Sequence, residues 1–262
     1  MNDILQTIVD NKRREIEALY RFNNKPVYVQ QDKLWLKPVY SLSKNISETE
    51  GGIIAEFKRR SPSKGEIFPM ADVAKIIPQY LLGGAAACSV LTDTRFFGGS
   101  PADLAVAQTL AGEMPLLRKD FIISRVQIEE ARALGASAIL LIAAILTADQ
   151  LSEFNDYAHK FRMEALVEIH NIKELDKLSF TPDLLGVNNR NLSSFHTDLR
   201  NSFELVNSLP KDTVLVAESG IKTPLDIKRL RDAGFSGFLI GEALMSTQNP
   251  GETLKRFIDE SR

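Results

Sequence analysis

Apolar residues recur along this chain in short dense runs, separated by longer stretches in which they return every three or four positions. The dense runs occupy 53–57 (IIAEF), 87–91 (ACSVL), 115–119 (PLLRK), 138–143 (AILLIA), 163–168 (MEALVE), 184–188 (LLGVN), 213–217 (TVLVA) and 236–240 (SGFLI). Their length and their content of aliphatic residues predict buried strands. Each is followed by a helix-like stretch, among them 70–82, 101–111, 124–134, 147–161 and 223–233. Proline follows Ser100 and Thr223 at the first helical position, and Ser124 and Thr147 stand where caps are needed. Gly83, Gly135 and Gly234 mark expected helix ends.

The strands return about every 21 to 34 residues without sequence identity between units, so the repeat is structural. Eight β-α units imply a parallel sheet, and eight is the number that closes a (β/α)8 TIM barrel. An open doubly wound sheet is the alternative, but the Gly-rich turn expected after its first strand is absent. Ahead of the barrel, Ile4, Leu5, Ile8, Val9, Ile16 and Leu19 form a helical stripe through residues 3–20, with Lys12, Arg13, Arg14 and Glu15 expected on a charged outer face. A polar segment over roughly 21–50 leads to the first strand, and its Trp35 is expected to pack. The expectation is one barrel domain over 1–262, with 1–50 as a helical extension and linker.

Composition narrows the class. The chain has 262 residues, 44% hydrophobic and 25% charged, with a formal net charge of -2. Basic residues are dispersed among acids, so nothing points to nucleic acid. The single cysteine, Cys88, excludes an intrachain disulfide, suits a reducing compartment and lies in an apolar run as a core residue would. Met1-Asn2-Asp3 is polar and does not read as an export signal. The longest apolar stretch, 137–146, is too short to span a bilayer. A cytoplasmic protein is expected, without membrane or nucleic-acid partner.

In a barrel of this kind the active site forms at the C-terminal ends of the strands. Side chains alternate along a strand, so Ile54, Glu56 and Lys58 share a face. The same phase puts Lys119 with Leu117 and Phe121, Glu168 with Leu166, and Asn188 with Arg190, while strand 7 ends in Glu218. One strand-end charge is readily a structural ion pair. Three carboxylates, two lysines and an arginine at equivalent ends point to a functional cluster.

Ser219-Gly220 after strand 7 and Gly241-Glu242 after strand 8 suit a phosphate cradle, with Ser61 as a further hydroxyl donor and Pro62 fixing its turn. Phe96 and Phe97 bring rings toward the mouth, either to flank a planar substrate or to pack under a loop. His159, His170 and His196 show no metal-ligand spacing, so no metal is expected; His170, just past strand 5, is near enough to touch the site.

The ordered set EFKRRSPSKG, SVLTD, FFGGS, LLRKDFI, LVEIH, GVNNRNL, AESGI and LIGEALM closely resembles the indole-3-glycerol phosphate synthase family. The resemblance runs from about residue 53 to 245, and ILQTIVDNKRREI is similar to the family's extra helix. It implies a carboxy-lyase of tryptophan biosynthesis that needs no cofactor and cyclises 1-(2-carboxyphenylamino)-1-deoxyribulose 5-phosphate with loss of carbon dioxide and water. By resemblance, Lys119 is the general acid, Glu168 the base of the dehydration, and Lys58 a contact to the substrate carboxylate oriented by Glu56. Asn188 and Arg190 hold the substrate, and Glu218 binds a hydroxyl or an amine. Ser61, Ser219, Gly220, Gly241 and Glu242 match the phosphate cradle, and Phe121, Phe97, Leu91 and Leu192 the apolar walls. Arg59-Arg60 then anchors its loop. The competing readings are another phosphate-binding barrel, such as phosphoribosylanthranilate isomerase or a tryptophan synthase α-like lyase, and a non-catalytic barrel. The implied partner is a small phosphorylated molecule, with a monomer as the working expectation.

Overall fold

A computed structural model of the chain describes residues 4–23, 38–191 and 196–262, with only the backbone of 19–23. Eight parallel strands, β1 (Ile53–Phe57), β2 (Ala87–Leu91), β3 (Leu116–Lys119), β4 (Ala138–Ile142), β5 (Glu164–Ile169), β6 (Leu184–Asn188), β7 (Val214–Glu218) and β8 (Gly237–Ile240), pair in chain order. The barrel closes where β1 meets β8, Ile54 opposite Leu239. Because every pair is parallel, all eight C-terminal ends open onto one rim.

Alternation along the strands creates two cores. Ile54, Leu117, Leu140, Leu166, Leu184, Val216 and Leu239 meet in one cluster with Leu42 and Ile46 of the helix Leu42–Glu48. Their neighbours Ile53, Ala55, Phe57, Ile139, Leu141, Val167, Leu185 and Ala217 belong to the other, shared with the surrounding helices. Burying each such aliphatic side chain contributes about 1.5–3 kcal/mol. The opposite rim is tied to the linker: Glu164, at the start of β5, accepts from the hydroxyls of Ser41 and Ser43 at 2.6 and 2.7 Å.

The helical signals are answered with local differences. Thr147 and Thr223 form capping boxes, and Ser100 accepts from the Ala102 N–H. Ser124 occupies its cap position without a side-chain cap bond. The helices ending at Gly135 and Gly234 close with left-handed residues, but at the first expected stop Gly83 stays helical and Gly84 turns left-handed. After β5 there is only a 3-10 segment, Ile172–Lys177, because residues 170–183 return the chain to β6 through Pro182.

The N-terminal helix, Ile4–Asn23, brings one correction. Lys12 is buried, not on an outer face, and contacts Asp93 and Asp120 at 3.2 and 3.0 Å. It stands one turn beyond Ile8 and one turn before Ile16, so helical geometry assigns it to the apolar stripe. Arg59 behaves as a loop anchor, reaching Asp103 at 2.5 and 2.9 Å and the carbonyls of Ala71 and Gly98. Trp35 lies outside the described residues.

Candidate active site

β1 ends by presenting Glu56 inward, and Lys58 folds back so that its ammonium lies 2.5 Å from the Glu56 carboxylate. β3 delivers Lys119, which donates to Glu168 of β5 at 3.1 Å and to Glu218 of β7. β6 contributes Asn188, whose side-chain oxygen accepts from the Arg190 N–H at 3.0 Å. Arg190 reaches across the mouth and donates to Ser63 at 2.7 Å.

Two glycines make room for these carboxylates. A Cβ on Gly186 would stand 2.1 Å from Glu218 Oε1, and one on Gly241 would stand 2.3 Å from Glu56 Oε1. Either added carbon would displace an acid, so these positions are fixed by close approach.

Lys119 sits in strongly coupled surroundings. Burial alone would pull its ammonium pKa down, but Glu218, Glu168 and Glu56 raise it further, and the net shift is upward. Burial would likewise raise the Glu168 pKa, yet Lys119, His170 and a hydrogen bond from Asn188 bring it below the usual carboxylate range. Glu218 goes the other way. Burial and the charge of Glu168 outweigh Lys119 and push it up, to about 8. One acid of the pair is held ionised and the other resists ionisation.

At the other side of the mouth, Ser219 and Gly220 are both left-handed, with φ of 64° and 85°. Such a conformation at a serine is strained and persists only when neighbours hold it. Asn189 does so, donating to the carbonyls of Glu218 and Ser219 at 3.1 and 3.2 Å while its own oxygen accepts from Ser202. A short helix, Glu242–Met245, starts beside them after β8. The Lys64 ammonium lies 3.2 Å from Glu242, linking the loop after β1 to that helix.

One pocket gathers most residues singled out from sequence: Glu56, Lys58, Leu91, Phe97, Lys119, Phe121, Glu168, Asn188, Arg190, Glu218, Ser219, Gly220, Gly241 and Glu242 all line it. Phe97 and Phe121 form one wall, their ring centres 5.9 Å apart. Pro62 lines the pocket, whereas Ser61 is buried beside it, accepting from the Lys64 N–H. Leu192 lies outside the described residues. Sequence reasoning did not place Ile4, Leu5 and Ile8 of the N-terminal helix, or Ile142 at the end of β4, against this pocket, yet all line it. Ile142 shares the phase of Leu140, which was a usable signal. Nothing in the helix showed which surface its stripe would cover. Among the described residues, no group of His, Cys, Asp and Glu is arranged to hold a metal ion, and no helix is long and apolar enough to cross a membrane.

The fold and the site define a (β/α)8-barrel enzyme whose titratable groups meet at the C-terminal mouth. A profile of the indole-3-glycerol phosphate synthase family matches residues 5–257. The chain belongs to the indole-3-glycerol phosphate synthase family. It is 46% identical to the indole-3-glycerol phosphate synthase of Bacteroides thetaiotaomicron, over 98% of each chain. It is 43% identical to that of Paracidovorax citrulli, over 98% of this chain and 99% of the relative. Among solved structures, a thiamine phosphate pyrophosphorylase from Pyrococcus furiosus is similar with a TM-score of 0.58 and 14% identity, covering 81% of this chain and 98% of that one. At that identity the likeness concerns the barrel alone.

Proposed function

We propose that this chain forms indole-3-glycerol phosphate from 1-(2-carboxyphenylamino)-1-deoxyribulose 5-phosphate, using Lys119 and Glu168 as its principal acid and base. The observation that carries the reading is the placement of Lys119 between Glu168 and Glu218. It supplies a cationic proton donor beside an ionised carboxylate, in one pocket with Lys58.

In the first step the ring carbon that bears the carboxylate attacks the C2 carbonyl carbon, and the carbonyl oxygen takes a proton from Lys119. Carbon dioxide then leaves, and the electron pair of the broken bond restores the aromatic ring. In the last step the C2 hydroxyl takes a proton delivered through Lys58 and departs as water, while Glu168 removes a proton from C1, which forms the C1–C2 double bond of the five-membered ring. Lys58, paired with Glu56, meets the substrate carboxylate and helps to move protons. Asn188 and Arg190 hold the substrate, and Glu218 takes a hydroxyl or the amine. Phe97, Phe121 and Leu91 enclose the ring. Ser61, Ser219, Gly220, Gly241 and the backbone of Glu242 receive the phosphate, which the left-handed pair and the first N–H groups of the short helix suit.

The same reading takes 1–262 as one domain with an N-terminal extension, acting in the cytoplasm as a monomer on a small phosphorylated molecule. Light scattering on the purified chain tests the monomer, and a dimer mass would refute it. The function is tested by following indole fluorescence as the purified chain acts on the substrate, with and without EDTA. Product formation unaffected by EDTA is expected. Isomerisation of phosphoribosylanthranilate with no indole product would overturn the assignment.

A further inference from the structure

His170 stands two residues beyond Glu168, just past the end of β5, and its ring packs beside the Glu168 carboxylate. Its ring is nearly enclosed: the side chain is 11% exposed, with Nε2 3.4 Å from Glu168 Oε1 and Nδ1 3.6 Å from Glu174 Oε2. Neither ring nitrogen makes a hydrogen bond among the described residues. Glu174 is fixed in place, since it accepts from the His170 N–H at 2.8 Å and from the Asn171 side chain at 2.8 Å. The other oxygen of Glu168 faces Lys119 at 3.1 Å. Glu168 therefore lies between an ammonium on the pocket side and an imidazole behind it.

The groups facing His170 are mainly acids. Glu168 comes from β5, Glu174 from the 3-10 segment and Glu218 from β7. Lys177, on the same 3-10 segment, is turned away to the carbonyls of Ala143 and Leu146. From the helix Arg200–Leu205, Asn201 meets only the His170 carbonyl, at 3.1 Å. Burial by itself would favour neutral imidazole, but Glu174, Glu168 and Glu218 together raise the pKa of the ring. A cation at this place has one evident consequence for the site, which is to favour the ionised form of Glu168.

We propose that His170, clamped by Glu174, is a positioning residue that keeps Glu168 ionised and aimed at the substrate, and so sets the lower pH limit of turnover. This rests on the reading of Glu168 as the base, but the ionisation of Glu168 can be measured separately from its role. Without the cation, Lys119 is left as the main partner of two carboxylates. Glu168 then holds a proton at higher pH than in wild type, and the dehydration loses its base earlier as the pH falls. His170 acts through Glu168 and needs no contact with the substrate.

The test compares wild type with His170→Gln, which keeps a polar side chain of similar reach, and with Glu174→Gln, which loosens the clamp. In each, the Glu168 carboxylate is titrated by 13C NMR, assigned by loss of its signal in Glu168→Gln, and kcat and KM are followed across pH. In His170→Gln the Glu168 pKa and the acidic limb of kcat are both expected to rise by about one unit. KM should stay within about twofold, and kcat should recover on the alkaline side. Glu174→Gln should move both in the same direction by less. An unmoved Glu168 titration in a folded His170→Gln overturns the proposal, as does a kcat loss equal at every pH. A shifted titration with an unshifted kcat limb would leave the electrostatic role standing and instead remove Glu168 as the base.

Discussion

Arg118, Lys119 and Asp120 are consecutive, yet they serve two buried charge networks of opposite character. Arg118 turns outward, where it holds Glu130 at 2.7 Å and the Gln127 carbonyl at 2.8 Å, and it reaches Asp120, which also lines the pocket, at 3.1 Å. Lys12 closes this outer network from the N-terminal helix, and Thr92 donates to Asp120 at 2.6 Å. Lys119 points inward between Glu168 and Glu218, and there Glu218 Oε1 has no hydrogen-bond partner among the described residues. The inner network divides its acids, holding Glu168 low while Glu218 rises. Asp120 has its pKa lowered to about 2, because Arg118 and Lys12 overcome burial, whereas Glu218 has its pKa raised to about 8. An acid held ionised by two cations stabilises one arrangement. An acid that resists ionisation beside a pocket can exchange protons.

The largest expected effect separates the two directly. Lys119→Met should lower kcat by about 10²–10⁴-fold, the usual worth of a positioned acid–base group, while circular dichroism shows an intact barrel. Arg118→Met should do the reverse. It takes the guanidinium away from the buried acids Asp120 and Glu130 and should cost about 3–5 kcal/mol in urea unfolding, with little change in kcat of the protein that stays folded. If the stability loss fell on Lys119→Met and the activity loss on Arg118→Met, the division between the networks would be wrong.

A smaller effect is expected at Lys12. Its removal leaves Asp120 bound by Arg118 and Thr92, and Asp93 still accepts from the Phe96 N–H at 2.7 Å. Lys12→Met should therefore cost less stability than Arg118→Met, in the range of about 1–3 kcal/mol. The same change loosens the helix that places Ile4, Leu5 and Ile8 against the pocket. KM should rise more than kcat falls, and steady-state kinetics would show the split. An unchanged KM would mean that the helix is held by its apolar stripe alone.

Much of this contrast was legible beforehand because strand geometry has a period of two. With Ile54, Leu117, Leu166 and Val216 inward, Glu56, Lys119, Glu168 and Glu218 must follow them into the mouth. Which inward charges touch was not legible, since the pairing of Lys119 with Glu168 and Glu218 depends on how β3, β5 and β7 face one another across the barrel. The outer network was missed for another reason. Lys12 read as a surface charge because its buried acids, Asp93 and Asp120, are supplied by loops far away in sequence. The helix pattern could show a buried stripe but not its partner. The short connection after β5 was misread as helix for lack of any strong signal ending it before Pro182.

The smallest effect concerns pH and distinguishes Asp120 from Glu218 by sign. Glu218 carries its proton to about 8 in the folded protein, against an ordinary value of 4.5, so between these limits the folded state binds more protons than the unfolded chain. Stability must then fall as pH rises through that window. Asp120 contributes oppositely. Its folded pKa of about 2 lies below the ordinary 3.8, so its contribution is present above 3.8 and is lost as pH falls toward 2. Asp120 should therefore limit stability on the acid side, together with Glu168, and Glu218 on the alkaline side. Replacing Glu218 by Gln removes the alkaline contribution while leaving the acid limb intact. Urea unfolding from pH 5 to pH 8.5 should show a downward slope in wild type that is flatter in Glu218→Gln. Parallel slopes in the two proteins would mean that Glu218 is already ionised in the folded state.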